Sequence, residues 1–219
     1  MSSSLIQLLV LGGIALFLIL RLRDVLGTRE GFEKPVVPRQ EDRRLDRNSL
    51  EVIEGGPDRD ILDHAAEGSP SALALAAMKS NEPSFNVGEF LGGARGAYEM
   101  ILMGFEAGDM AQIKPFLSDD VYETFASVVE ARDAQGLTVE AKFVGVRELK
   151  LEEAAFDTTT REGEITVKFV GELTSVVRDK GGDIIEGNPN EVKRQKDVWT
   201  FARVMGSDNP NWQLVATGG

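Results

Sequence analysis

Residues 86–109 read NVGEFLGGARGAYEMILMGFEAGD, and within them Val87, Phe90, Leu91, Ala94, Ala97, Tyr98, Ile101, Leu102 and Phe105 recur at intervals of three and four. That spacing draws one apolar stripe along about five turns of helix, so the segment is a core helix. Asn86 and Glu89 have the spacing of a capping box and mark where it starts. Gly92, Gly93 and Gly96 each lower its intrinsic stability by roughly 1 kcal/mol against Ala. Either another backbone approaches that side closely or the fold simply tolerates them.

Downstream, Gly108-Asp109 restarts a short helix that ends near Lys114-Pro115. Ser118, Asp119 and Asp120 then supply an N-cap and first-turn acids for a second long helix, with Val121, Tyr122, Phe125, Val128 and Val129 apolar and Gly136 as its stop. After Gly136 the period changes. Thr138 to Leu151 alternates at Val139, Ala141 and Phe143, with Val146 and Leu149 displaced, and Ile165–Val177, Val198–Val204 and Trp212–Val215 complete a β-rich half. Lys180–Asp183 and Ser207–Asn211 are turns, which makes successive strands antiparallel neighbours. Helices first and antiparallel strands after them define an α+β fold, with the helices packed on one face of a bent sheet.

Upstream, Pro57–Ala66 and Pro70–Lys79 are short helices of weak period, the second with Ser69 as N-cap and Pro70 at its first position. They are expected on the outside of the domain or joining it to a tether. Residues 27–56 mix charges of both signs with Pro35 and Pro38, and their apolar residues follow no period. Too little apolar surface is there to offset chain entropy, which makes the stretch a charged flexible linker.

The N-terminal residues carry a different signal. Leu5 to Leu20, LIQLLVLGGIALFLIL, holds twelve Leu, Ile, Val or Phe in sixteen positions and no charge. As a helix it measures roughly 24 Å, and roughly 33 Å when extended to Leu26, against a hydrocarbon core of about 30 Å. Leu5, Leu9, Ile14, Phe17 and Leu20 are anchor positions, and Arg21 and Arg23 reach the headgroups at its end. Basic residues crowd the C-terminal side, so the expected topology is single-pass with the C-terminal domain in the cytoplasm. A cleavable signal peptide would place its basic residues first and end in a small-residue site, and an interfacial helix would need a polar face. The division expected is 1–26 as transmembrane anchor, 27–56 as linker, 57–82 as accessory helices and 83–219 as the α+β domain.

Composition narrows the function. Cysteine is absent, which excludes disulfides, a thiolate nucleophile and cysteine-ligated zinc. Residues 48–219 hold sixteen Lys/Arg against thirty Asp/Glu, a net of −14, within a chain of net −12. Such a body repels nucleic acid and favours proteins or basic segments as partners. His64 is the single histidine, and no metal-ligand cluster or phosphate loop accompanies it. Acid pairs such as Asp119-Asp120 and Glu152-Glu153 are read as solvated faces or helix-start acids. The sequence gives no ground for an enzyme, a metal or a cofactor.

The block Phe90–Gly136, with Ala94-Arg95-Gly96-Ala97-Tyr98-Glu99 at its centre, and the closing block Asp197–Thr217, with Trp199, Phe201, Arg203, Asn211-Trp212 and Leu214 in order, resemble the Tim-type domain. That domain is the C-terminal half of the mitochondrial inner-membrane tether for the protein-import motor. The anchor followed by a charged linker is similar to the bacterial TimA family. The resemblance implies a cone-shaped fold like nuclear transport factor two, a bacterial inner-membrane location, and an adaptor that presents the domain to protein partners, with translocation machinery or a chaperone as partner classes. It also implies an apolar pocket, for which Phe90, Tyr98, Phe125, Trp199, Phe201 and Trp212 are the candidate lining. The alternative function is binding of a lipid or a hydrophobic peptide in that pocket.

Overall fold

The computed structural model describes residues 58–218. The anchor positions Leu5 to Arg23 and the linker 27–56 lie outside the described residues. No helix among the described residues is long and apolar enough to cross a membrane.

The chain runs α1 (Arg59–Leu62), α2 (Pro70–Asn81), α3 (Val87–Ala107), α4 (Met110–Ile113), a 3-10 turn (Lys114–Phe116), α5 (Asp119–Gln135), then β1 (Thr138–Phe156), β2 (Glu162–Arg178), β3 (Ile184–Gly187), β4 (Lys193–Val204) and β5 (Gln213–Gly218). It is the expected α+β order. The sheet is antiparallel throughout, ordered β1-β2-β4-β5, with β3 added to the end of β2. Asn86 Oδ1 accepts the Glu89 amide at 2.8 Å, Ser69 and Ser118 cap α2 and α5, and Gly108 and Gly136 close α3 and α5 in the left-handed region that an L side chain resists.

The displaced alternation of β1 has a structural cause. Register shifts fall between Phe143 and Gly145, Val146 and Glu148, and Leu151 and Glu153. Each β-bulge adds one residue, so the inward phase steps from Phe143 to Val146, from Val146 to Leu149 and from Leu151 to Ala154. The long edge strand is bent by these bulges, and their twist also protects it from pairing with other chains.

One core joins the layers. Tyr98 and Ile101 of α3, Ile165, Val167 and Phe169 of β2, and Leu214 of β5 are fully buried. Leu75 and Met78 of α2, a helix expected on the outside, are fully buried as well. Its packing is close, since the Met78 methyl lies where a Cβ on Gly163 would come within 3.0 Å, and the Ser71 hydroxyl accepts the Ala154 amide. β3 was not expected, because its exposed Ile184 and Ile185 follow a glycine turn and pair only with the last residues of β2.

Candidate functional site

Helix α3 changes character along its length. Its first half borders a cavity of about 350 Å³, open to solvent, between the Glu82–Asn86 connection, the helix and the β4–β5 turn. Five rings line the cavity, Phe116 among them, and four of these cluster: Phe90 lies 4.7 Å from Trp212, 6.1 Å from Phe201 and 6.5 Å from Phe85. Phe85 precedes the N-cap and Phe90 is the fourth helical residue, the geometry of a hydrophobic staple. The staple is why the chain enters α3 with both rings on the groove side.

Acids and one arginine frame the rings. The Arg203 guanidinium is 8% exposed and pairs with Glu82 at 2.6 Å. It also donates to the Pro210 carbonyl and lies 5.3 Å from the Trp212 ring centroid. Burial alone would raise the Glu82 carboxyl, but the bonds from Arg203 and from the Gly206 amide prevail and hold it below its ordinary 4.5. Arg203 is therefore spent on the frame, and its Nε is buried without a partner among the described residues. Glu89, also lining the groove, is exposed and has no ion pair among the described residues. A second latch sits at the helix start, where Asp60 accepts from the Val87 and Gly88 amides and pairs with Lys79 at 2.6 Å. Against the opposing effect of burial, those bonds keep its carboxyl below 3.8.

Of the six residues expected to line a pocket, Phe90, Phe201 and Trp212 do so. The expectation is corrected for the other three. Tyr98 is fully buried, stacked on Phe169 at 4.4 Å with 6° between planes, and Trp199 lies 4.8 Å away, so these rings fill the core. Phe125 packs on Phe105 at 4.6 Å, on α5 and away from the groove. The Tyr98 hydroxyl donates to Asp197 at 2.5 Å, and burial first, then that carboxylate, push its ionisation far above the usual 10. It is a structural donor held neutral. Gly171 makes room for it, because a Cβ there would sit 2.6 Å from the hydroxyl. Exposed His64 stands apart from the groove lining, and no group of metal-ligating side chains occurs among the described residues.

The profile of the Tim44-like domain matches residues 71–219, more than half of the chain. The chain belongs to the Tim44-like domain family. The Tim44-like chain is 23% identical over 197 residues to "Mitochondrial import inner membrane translocase subunit TIM44-1" of Arabidopsis thaliana, covering 84% of this chain and 40% of that protein. It is 25% identical over 118 residues to the TIM44 subunit of the same translocase in Homo sapiens, covering 52% and 25%. The chain thus spans less than half the length of either relative. The intermembrane space region of chloroplast protein ARC6 overlaps half of the chain with a TM-score of 0.34 at 9% identity, too loose a likeness to bear on function.

The other half of α3 in this Tim44-like domain borders a smaller cavity of about 160 Å³. Glu106 stands there 3.8 Å from Arg132. Burial raises its carboxyl above 4.5, Arg132 opposes the shift and Glu186 adds to it. The site is narrow and its arginine is occupied by the Phe105 carbonyl. Of the two cavities along α3, the aromatic groove has the greater capacity for a ligand.

Proposed function

We propose that this Tim44-like protein is a membrane-anchored adaptor of the bacterial TimA type. Residues 1–26 form a single-pass anchor, 27–56 a linker, 57–82 accessory helices, and 83–219 the domain presented to protein partners on the cytoplasmic side of the inner membrane. The observation that carries the reading is the match of residues 71–219 to the Tim44-like family, whose matched relatives are named as subunits of an inner-membrane translocase. The apolar run Leu5–Leu20 closed by Arg21 and Arg23 supports the anchor and its orientation. A link to protein translocation follows, with translocation machinery or a chaperone as partner.

Catalysis has little support in the site chemistry. The groove's buried ionisable pair, Glu82 with Arg203, is locked in a frame, and Tyr98 is tied to Asp197 inside the core. A second reading, that the groove itself binds a lipid chain or a hydrophobic peptide, is favoured by its aromatic lining and a volume near the lower end of ligand pockets, roughly 300–1,000 Å³.

Crosslinking in intact cells, with membrane fractionation and protease treatment of spheroplasts, tests the adaptor. The expected result is a pelleted protein whose body is shielded from external protease and which crosslinks to translocation subunits or a chaperone. Recovery in the soluble fraction, or digestion of the body from outside, would overturn it.

A further inference from the structure

The groove's rings, its charge and the glycines beside it converge on one occupant. Trp212 is half-buried beside Phe85 and Phe90, and its indole N–H has no hydrogen-bond partner among the described residues. Phe85 and Phe90 are themselves buried and back the indole, so Trp212 is the ring the groove presents. A tryptophan face with a free indole donor is a surface on which a polyproline II segment docks, because such a segment has no internal hydrogen bonds and offers every carbonyl to its host.

Charge selects the flanks of that segment. Among the described residues, the free charge at the groove is the Glu89 carboxylate, whereas the Arg203 cation is neutralised by Glu82. Lysine or arginine next to the apolar positions is thereby favoured, and the anionic head of a fatty acid is opposed. Steric access agrees. A Cβ on Gly92, Gly93 or Gly96 would meet nothing within 4 Å among the described residues, so their packing does not require glycine there, and Gly93 lines the groove. The helix cost of Gly93 is accounted for by a bound backbone that runs close to α3 at that position, whereas Gly92 and Gly96 lie outside the lining.

We infer that the aromatic groove of Phe85, Phe90 and Trp212 binds a proline-containing polypeptide segment of a partner protein, flanked by lysine or arginine, with Glu89 as its charge contact. This rests on the second reading above, in which the groove is a binding site.

The test uses the full-length protein in detergent and a fluorescein-labelled peptide, Lys-Pro-Leu-Leu-Pro-Arg, followed by anisotropy. Saturable binding is expected, weakened about tenfold or more when both prolines are replaced by alanine, and similarly when the flanks become Glu and Asp. Gly93→Leu fills the groove where there is space and improves helix propensity, so binding is expected to fall at least about tenfold with unfolding unchanged or shifted upward. Glu89→Lys is expected to weaken binding about fivefold and to flatten its salt dependence. Equal affinity of the alanine peptide would overturn the polyproline assignment. Displacement of the peptide by laurate below its micellar range would overturn the peptide in favour of a lipid. Absence of binding by both probes would overturn the groove as a binding site, while crosslinks to translocation subunits would leave the adaptor reading intact.

Discussion

The two halves of α3 use the same residue type for opposite ends. In the first half, Gly92, Gly93 and Gly96 face open space, and the helix borders a groove. In the second half, a Cβ on Gly104 would overlap the Ile113 side chain, and Tyr98 and Ile101 are fully buried. Packing therefore requires glycine in the second half, whereas in the first it does not, and of those three glycines Gly93 lines the groove. The chain carries two tryptophans, which report on these ends separately, Trp199 from the core and Trp212 from the groove.

Breaking the frame of the groove has the largest expected effect. Arg203→Met leaves Glu82 with the Gly206 amide but without its cation, and a loss of about 3 kcal/mol is expected in urea unfolding followed by fluorescence. The same pair sets an acid limit. Glu82 is held below its ordinary 4.5 in the fold, so its contribution is fully present above that pH and is lost as pH falls through the lowered value. In Arg203→Met this acid-side loss shrinks, and a pH series of unfolding midpoints shows it. An unchanged profile would mean that the pair does not hold the groove.

At the packed end, Gly171→Ala pushes a Cβ against the Tyr98 hydroxyl and is expected to cost about 1–3 kcal/mol. Its signature is a shift in Trp199 emission with Trp212 unchanged, read in single-tryptophan variants. The opposite sign is expected at the open end. Gly92→Ala and Gly96→Ala each stabilise by about 0.5–1 kcal/mol, measured by the same unfolding. Destabilisation there would show that the described surroundings already use the glycines.

Smallest is Glu106→Gln. A carboxyl whose ionisation is raised by burial disfavours the folded state at pH above its unfolded value, so the neutral amide is expected to raise the melting temperature slightly at pH 7 and to leave it unchanged near pH 4.

Much of the framework was legible in the chain. The stripe from Val87 to Phe105 is the core helix, Asn86 and Gly108 bound it, and the misplaced Val146 and Leu149 are the imprint of bulges in β1. Half of the groove was legible too, in Phe90, Phe201 and Trp212. Phe85 had a readable signal in its position before the N-cap, where a staple partner for Phe90 belongs. Arg203 appeared in the sequence only as a motif residue, and its partner Glu82 lies far upstream.

Local order in this protein follows from near neighbours in the chain: helical period, caps, glycine stops and strand phase depend on residues a few positions apart, and these are written in the amino-acid order. Which rings fill the core and which face solvent depended on register across strands and on helix placement. Tyr98 meets Asp197 across 99 positions, and β4 pairing with β2 sets where that carboxylate stands. Only the folded arrangement separates Trp199 from Trp212, because burial is a property of what packs against a side chain and the residue type is the same for both.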